Sequence, residues 1–140
     1  MDEKITVSEL EDTFIEDLNS LDDWFLQYEY LLAIAADMPN IEEKDRTLER
    51  KVPGCQSGVW IMMDYFDGKI EILADSDAMI VRGFISIFVQ LLNGRSPEEV
   101  LAFQPRFIEQ TSIKKNVSTD RFHGLRSILK RIQDFAAEHV

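Results

Sequence analysis

The sequence predicts an α+β fold, a small antiparallel β-sheet of about three strands packed against helices. Three observations predict the class. Apolar residues recur with helical period near both ends of the chain. Two β-rich runs flank Asp67-Gly68, the strongest short signal for a hairpin. The stretch that follows is apolar nearly all round, so it must be covered by other elements.

A first helix starts near Thr6 or Ser8 and runs to about Asn19, with Leu10, Phe14, Ile15 and Leu18 on one face. Ser20 reads as the cap of a second helix, with Asp22 and Asp23 in its first turn. That helix carries Trp24, Tyr28, Leu31, Leu32 and Ala35 on one stripe and stops before Pro39. Residues 41–51 are highly charged and read as an exposed connection, with a short strand beginning near Leu48. Val52-Pro53-Gly54-Cys55-Gln56-Ser57-Gly58 is a loop. Val59 to Phe66 and Lys69 to Ala74 form the hairpin. Asp75 or Ser76 caps a third helix from about Asp77 to Leu92, with Gly94 just past its end. Ser96-Pro97-Glu98-Glu99 is a capping box with proline at the first helical position, so a short helix follows, and another follows Pro105. The last helix begins near Ser118, with Leu125, Ile128, Leu129, Ile132 and Phe135 as its buried stripe.

Composition narrows the function classes. The 140 residues are 45% hydrophobic and 29% charged, the profile of a globular protein. With no repeat and no linker-like stretch, residues 1–140 read as one domain. The formal net charge of −11 argues against nucleic acid and anionic membrane as partners. Nine acids, from Asp2 to Asp23, crowd the N-terminal stretch against Lys4 alone, a solvated helix face or a surface that steers a basic partner. The lone cysteine, Cys55, excludes an internal disulfide and a cysteine-rich metal site, and fits a reducing compartment, the cytoplasm.

Cys55 is the candidate nucleophile. Cysteine often acts as an inert core residue, but here it stands in a Gly/Pro loop ahead of a strand, where reactive groups are displayed. Gly54 and Gly58 permit sharp turns, and free amides in such a loop are expected to stabilise a sulfur anion. Arg121 falls in the first turn of the last helix, where the dipole disfavours a cation, and Gly124 interrupts that helix. Both broken rules mark a functional or a closely packed place. His123 with Cys55 lacks any hydrolase signature. Asp75 and Asp77 suit a cation or, more simply, helix caps, and Arg121, Arg126, Lys130 and Arg131 read as a solvated basic face.

Three motifs in order carry a resemblance. Val52-Pro53-Gly54-Cys55-Gln56-Ser57-Gly58-Val59-Trp60 is similar to the V-x-GCQS-x-VW signature of the SufE-like family of sulfur acceptors, Fe-S metabolism associated domains that include the CsdE-type paralogues. Ser76-Asp77-Ala78 with Ile80-Val81-Arg82-Gly83-Phe84 resembles its second segment, and Arg121 with Gly124-Leu125 its R-x-x-GL motif. Trp24, Tyr28, Leu31, Pro39 and Arg46 fit a weaker N-terminal pattern, so the resemblance spans about residues 12 to 135. It implies the SufE/NifU (IscU-like) fold and a persulfide carrier: Cys55 takes sulfane sulfur from a SufS-type cysteine desulfurase, stimulates it, and delivers the sulfur to a SufBCD-type scaffold complex for iron–sulfur cluster assembly. It implies Gly54, Gln56, Ser57, Asp77, Arg121 and Gly124 as supporting residues, with Asp77 and Arg121 at docking positions. It implies no resident cofactor, since pyridoxal phosphate belongs to the desulfurase, and a monomer or weak homodimer that is an accessory to an enzyme. Position 58, commonly Gln in the family, is Gly here, and position 123, often Gln or Asn, is His. A non-catalytic adaptor of a desulfurase is the alternative.

Overall fold

The computed structural model describes residues 5–55 and 57–140. Helix α1 spans Val7–Asn19 and begins with a full capping box, Thr6 accepting from the Glu9 amide and Glu9 reaching back to the Thr6 amide. Helix α2 spans Trp24–Asp37. Its cap is Asp23, whose carboxylate accepts from the Leu26 amide at 2.9 Å, and not Ser20, which instead closes α1. The hairpin strands are β1, Val59–Phe66, and β2, Lys69–Ser76, in antiparallel register from Val59↔Ser76 to Phe66↔Lys69. Asp67 and Gly68 both have positive φ, the primed turn that matches strand twist.

The sheet has two strands where about three were expected. The segment before Cys55 pairs with β1 only around Trp60, through Val52 N–H to Val59 O (2.8 Å) and Ile61 N–H to Arg50 O (2.9 Å). Upstream, Arg50 and Lys51 donate to Thr47 O and curl the chain into a turn. Downstream, Pro53 has no N–H to donate, so pairing stops after one bridge.

Helix α3, Met79–Leu92, is the centre of the core, with Ile80, Val81, Phe84, Ile85, Ile87, Phe88, Leu91 and Leu92 all buried. It starts later than expected, with Ala78 at its N-cap and no side-chain cap. Asp75 and Ser76 belong to β2, where their side chains are used elsewhere. Around α3 pack α2, the inner hairpin face (Val59, Ile61, Ile70, Ile72, Ala74) and the buried stripe of α5, Thr119–Ala137. Helix α4, Pro97–Ala102, follows its capping box as predicted. The chain after Pro105 forms a turn and a short 3-10 segment, Ser112–Asn116, in place of a further α-helix. It is tied down by buried Glu11, whose carboxylate accepts from the amides of Arg106 (2.6 Å) and Phe107 (3.0 Å). Among the described residues no helix is long and apolar enough to cross a membrane.

Candidate functional site

The Cys55 loop hangs between two pinned ends. Its neck is the Val52–Val59 hydrogen bond. Its far end is Gly58, whose N–H donates to Asp77 Oδ1 at 3.0 Å and whose carbonyl accepts from Ser76 Oγ (2.8 Å) and the Asp77 amide (3.1 Å). Gly54 turns the chain with φ +85°. Position 58 is tight: a Cβ there would lie 2.5 Å from the Trp60 ring and 2.7 Å from Asp77 Oδ2, so those side chains would have to shift. Along the loop's flank runs α5, with contacts one helical turn apart. Gly124 faces Cys55, Ser127 Oγ approaches Gly54, and the Arg131 guanidinium donates to the carbonyls of Lys51 (3.3 Å) and Glu49.

Cys55 is half-buried, and its thiol points at the carbonyl of Gly124, 3.7 Å from Sγ. A recess of about 20 Å³ opens beside it, lined by Ser57, Val81, Phe84, Arg121, Gly124 and Leu125 among others. That is room for roughly one water-sized atom. A Cβ on Gly124 would stand 3.5 Å from Sγ, at ordinary contact distance, so the missing side chain leaves space beside the thiol without being required for its placement. Burial pushes the Cys55 thiol above its ordinary value. The expected stabilisation by loop amides is not what the described residues provide: the hydrogen-bond partner of Sγ is a carbonyl, which favours the protonated thiol.

The remaining predicted residues divide by place. Ser57, Arg121 and Gly124 meet Cys55 at the recess. Arg121 sits in the first turn of α5, its amide bonded to the Ser118 cap at 3.2 Å, and forms no ion pair among the described residues. Asp77 holds the far end of the loop and Gly54 turns the chain just before Cys55. Gln56 lies outside the described residues. His123 is exposed and does not line the recess. The apolar wall of the recess comes from Val81 and Phe84 of α3 and Leu125 and Ile128 of α5; Trp60 lies under the Arg46 guanidinium, 4.8 Å from the ring centroid.

Sequence reasoning missed the buried ion network behind the site. Asp75, 1% exposed, accepts from Arg82 Nε (2.7 Å) and the Ser76 amide through Oδ1, and from Arg46 (2.9 Å) and the Ile41 amide (2.8 Å) through Oδ2. Arg82 also donates to the Ala35 and Met38 carbonyls that end α2. Burial raises the Asp75 pKa, but the bonds from Ile41, Arg82 and Ser76 and the Arg82 charge outweigh it and hold the carboxyl below its usual value. The one local signal was an arginine inside an otherwise apolar helix.

The fold and the loop define an α+β protein that holds a lone thiol against a one-atom recess. The chain belongs to the SufE family, described as an Fe-S metabolism associated domain, which matches residues 12–136. It is similar to SufE-like proteins of Rhizobium etli (35% identical over 130 residues, 89% of this chain and 88% of the relative) and Rhizobium meliloti (32%, 89% and 93%). A Synechocystis SufE-like protein is 36% identical over 107 residues, covering 76% of this chain and 67% of the relative. The solution structure of a hypothetical protein from Thermus thermophilus superposes with a TM-score of 0.76 at 25% identity, over 92% of this chain and 94% of that one.

Proposed function

We propose that Cys55 accepts sulfane sulfur from a SufS-type cysteine desulfurase and carries it as a persulfide to a SufBCD-type assembly complex. The observation that carries this reading is the recess at Sγ, sized for one further atom and walled by Val81, Phe84, Leu125 and Ile128 with Ser57, Asp120 and Arg121. The Cys55 thiolate attacks the terminal sulfur of the donor's persulfide. A new S–S bond forms on Cys55, the donor's S–S bond breaks, and the donor leaves as a thiolate, so no external oxidant or resolving thiol is needed. One cysteine suffices.

The resting geometry supports a carrier that is quiet until docked. The thiol is half-buried, faces a carbonyl and has a raised pKa, so little of the nucleophilic thiolate forms at neutral pH. Reaction with a bulky donor requires the loop between Val52 and Gly58 to turn outward, with Gly54 as its flexible point. Afterwards the loaded sulfur returns to the recess, away from small thiols and oxidants. A persulfide is more acidic than a thiol, and Arg121 supplies a positive charge beside it. Asp77 keeps the downstream anchor in place. Intact-mass measurement after mixing with a cysteine desulfurase and cysteine is the test. A gain of one sulfur atom on the wild type, absent from Cys55→Ser, supports the carrier. No gain, with desulfurase stimulation intact in Cys55→Ser, makes the protein an adaptor.

A further inference from the structure

The charges of this acidic protein are sorted in space. Most described lysines and arginines have a carboxylate within ion-pair distance: Lys44, Arg46, Arg50, Arg82, Arg95, Arg106, Lys114 and Lys130. Those without one among the described residues are Lys51, Lys69, Lys115, Arg121, Arg126 and Arg131, and apart from Lys69 in the hairpin they lie on α5, on the segment leading into it, or beside the Cys55 loop. Arg121 lines the recess, while Lys130 and Arg131, with Pro53 and Ser127, line a groove of about 200 Å³ on the loop's other side. The acids on this side are Asp120 at the recess, Asp134 (paired with Lys130 at 2.7 Å), Asp77 at Gly58 and Glu49. The exposed acids Glu9, Asp12, Glu16 and Asp17 are carried by α1, which lines neither the recess nor this groove.

We infer that the groove and recess together form the docking face, and that it fits a protein partner whose own sulfur-bearing cysteine is ringed by acidic side chains. The inference rests on the sulfur-acceptor reading and names the surface chemistry of the partner. The cations without a carboxylate partner gather on the loop side, and that side attracts an acidic partner. Long-range attraction of this kind orients an encounter and acts on the association rate more than on the bound complex. A protein, and not nucleic acid or lipid, is the carrier of that negative field, because only a protein brings a sulfur-bearing cysteine to Cys55.

The test measures docking apart from sulfur transfer. In a Cys55→Ser background, the association rate with a persulfide-loaded cysteine desulfurase is followed by stopped-flow anisotropy for two charge-matched variants. One carries Lys51→Glu and Lys130→Glu. The other carries Lys69→Glu, Gln90→Glu and Gln104→Glu, away from the loop, and has the same net charge. The first is expected to slow association about tenfold at low ionic strength, the second less than about twofold, and both differences to vanish in high salt. Equal slowing by both variants, faster association of the first, or retention of the wild type on anionic vesicles or duplex DNA in preference to the desulfurase would overturn the inference. Because Cys55 is absent, a failure here is separate from a failure to gain sulfur in the mass experiment.

Discussion

At the scale of the residue, what matters is one missing methyl group. Gly124 leaves α5 without a side chain where Cys55 rests, and a Cβ there would sit at ordinary contact distance from Sγ, 3.5 Å. Gly124→Ala is therefore compatible with the folded thiol form, and the alanine favours the helix by about 1 kcal/mol. The same methyl group takes space from a recess of about 20 Å³ that a second sulfur would need. The expected outcome is a protein of equal or higher stability by urea denaturation whose Cys55 persulfide forms less and is lost to glutathione several-fold faster. A variant that keeps its persulfide as long as the wild type does would remove the recess from the mechanism. The sequence made Cys55, Arg121 and Gly124 legible because local rules are broken there: a cysteine in a glycine loop, a cation at a helix start, a glycine inside a helix. It did not reveal that Cys55 faces a carbonyl, because that contact joins residues 69 positions apart and depends on how α5 lies on the loop.

At the scale of the element, Asp75 is the knot. Through Arg82 it closes the end of α2, through Arg46 and the Ile41 amide it fixes the connection after α2, and its own strand delivers Ser76 and Asp77 to the loop anchor at Gly58. Asp75→Asn leaves Arg82, 5% exposed, without its counter-charge, and such broken buried pairs cost about 3–5 kcal/mol. The pH dependence has a definite sign. The folded-state pKa lies below the unfolded one of about 4, so the unfolded chain binds more protons between the two values. The stability that Asp75 contributes is complete above about pH 4 and is lost as pH falls through the folded pKa. Denaturation midpoints measured down that window should fall more steeply in the wild type than in Asp75→Asn; parallel curves would contradict the argument. Elements with local signals were legible: the Asp67-Gly68 hairpin, the Ser96 and Ser118 caps, the stop before Pro39. The helix starts near Ser20 and Asp75 were misplaced, since several cap-forming residues stand in a row and long-range bonds choose among them. The third strand shrank to a bridge because Thr47 curls the chain before it and Pro53 ends it.

At the scale of the whole molecule, the question is whether attraction or repulsion governs the charge balance at neutral pH. The exposed pairs, such as Lys44–Glu42 and Lys130–Asp134, contribute between nothing and about 1 kcal/mol each and weaken in salt. The Asp75–Arg82 pair lies inside the protein, where ions screen it little. What remains is the mutual repulsion of a net charge of −11, which disfavours the compact state and is relieved by salt. Raising the salt from about 0.01 M to about 0.15 M shortens the screening length from about 30 Å to about 8 Å, which is less than the width of the molecule. Repulsion summed over the whole surface falls more than the attraction of touching pairs. The midpoint of thermal unfolding should therefore rise by about 2–4 °C, the shift that about 1 kcal/mol produces in a chain of this size. A fall over the same range would mean that the surface pairs, and not the net charge, set the balance, and that the sorting of charge around Cys55 contributes to stability as well as to docking.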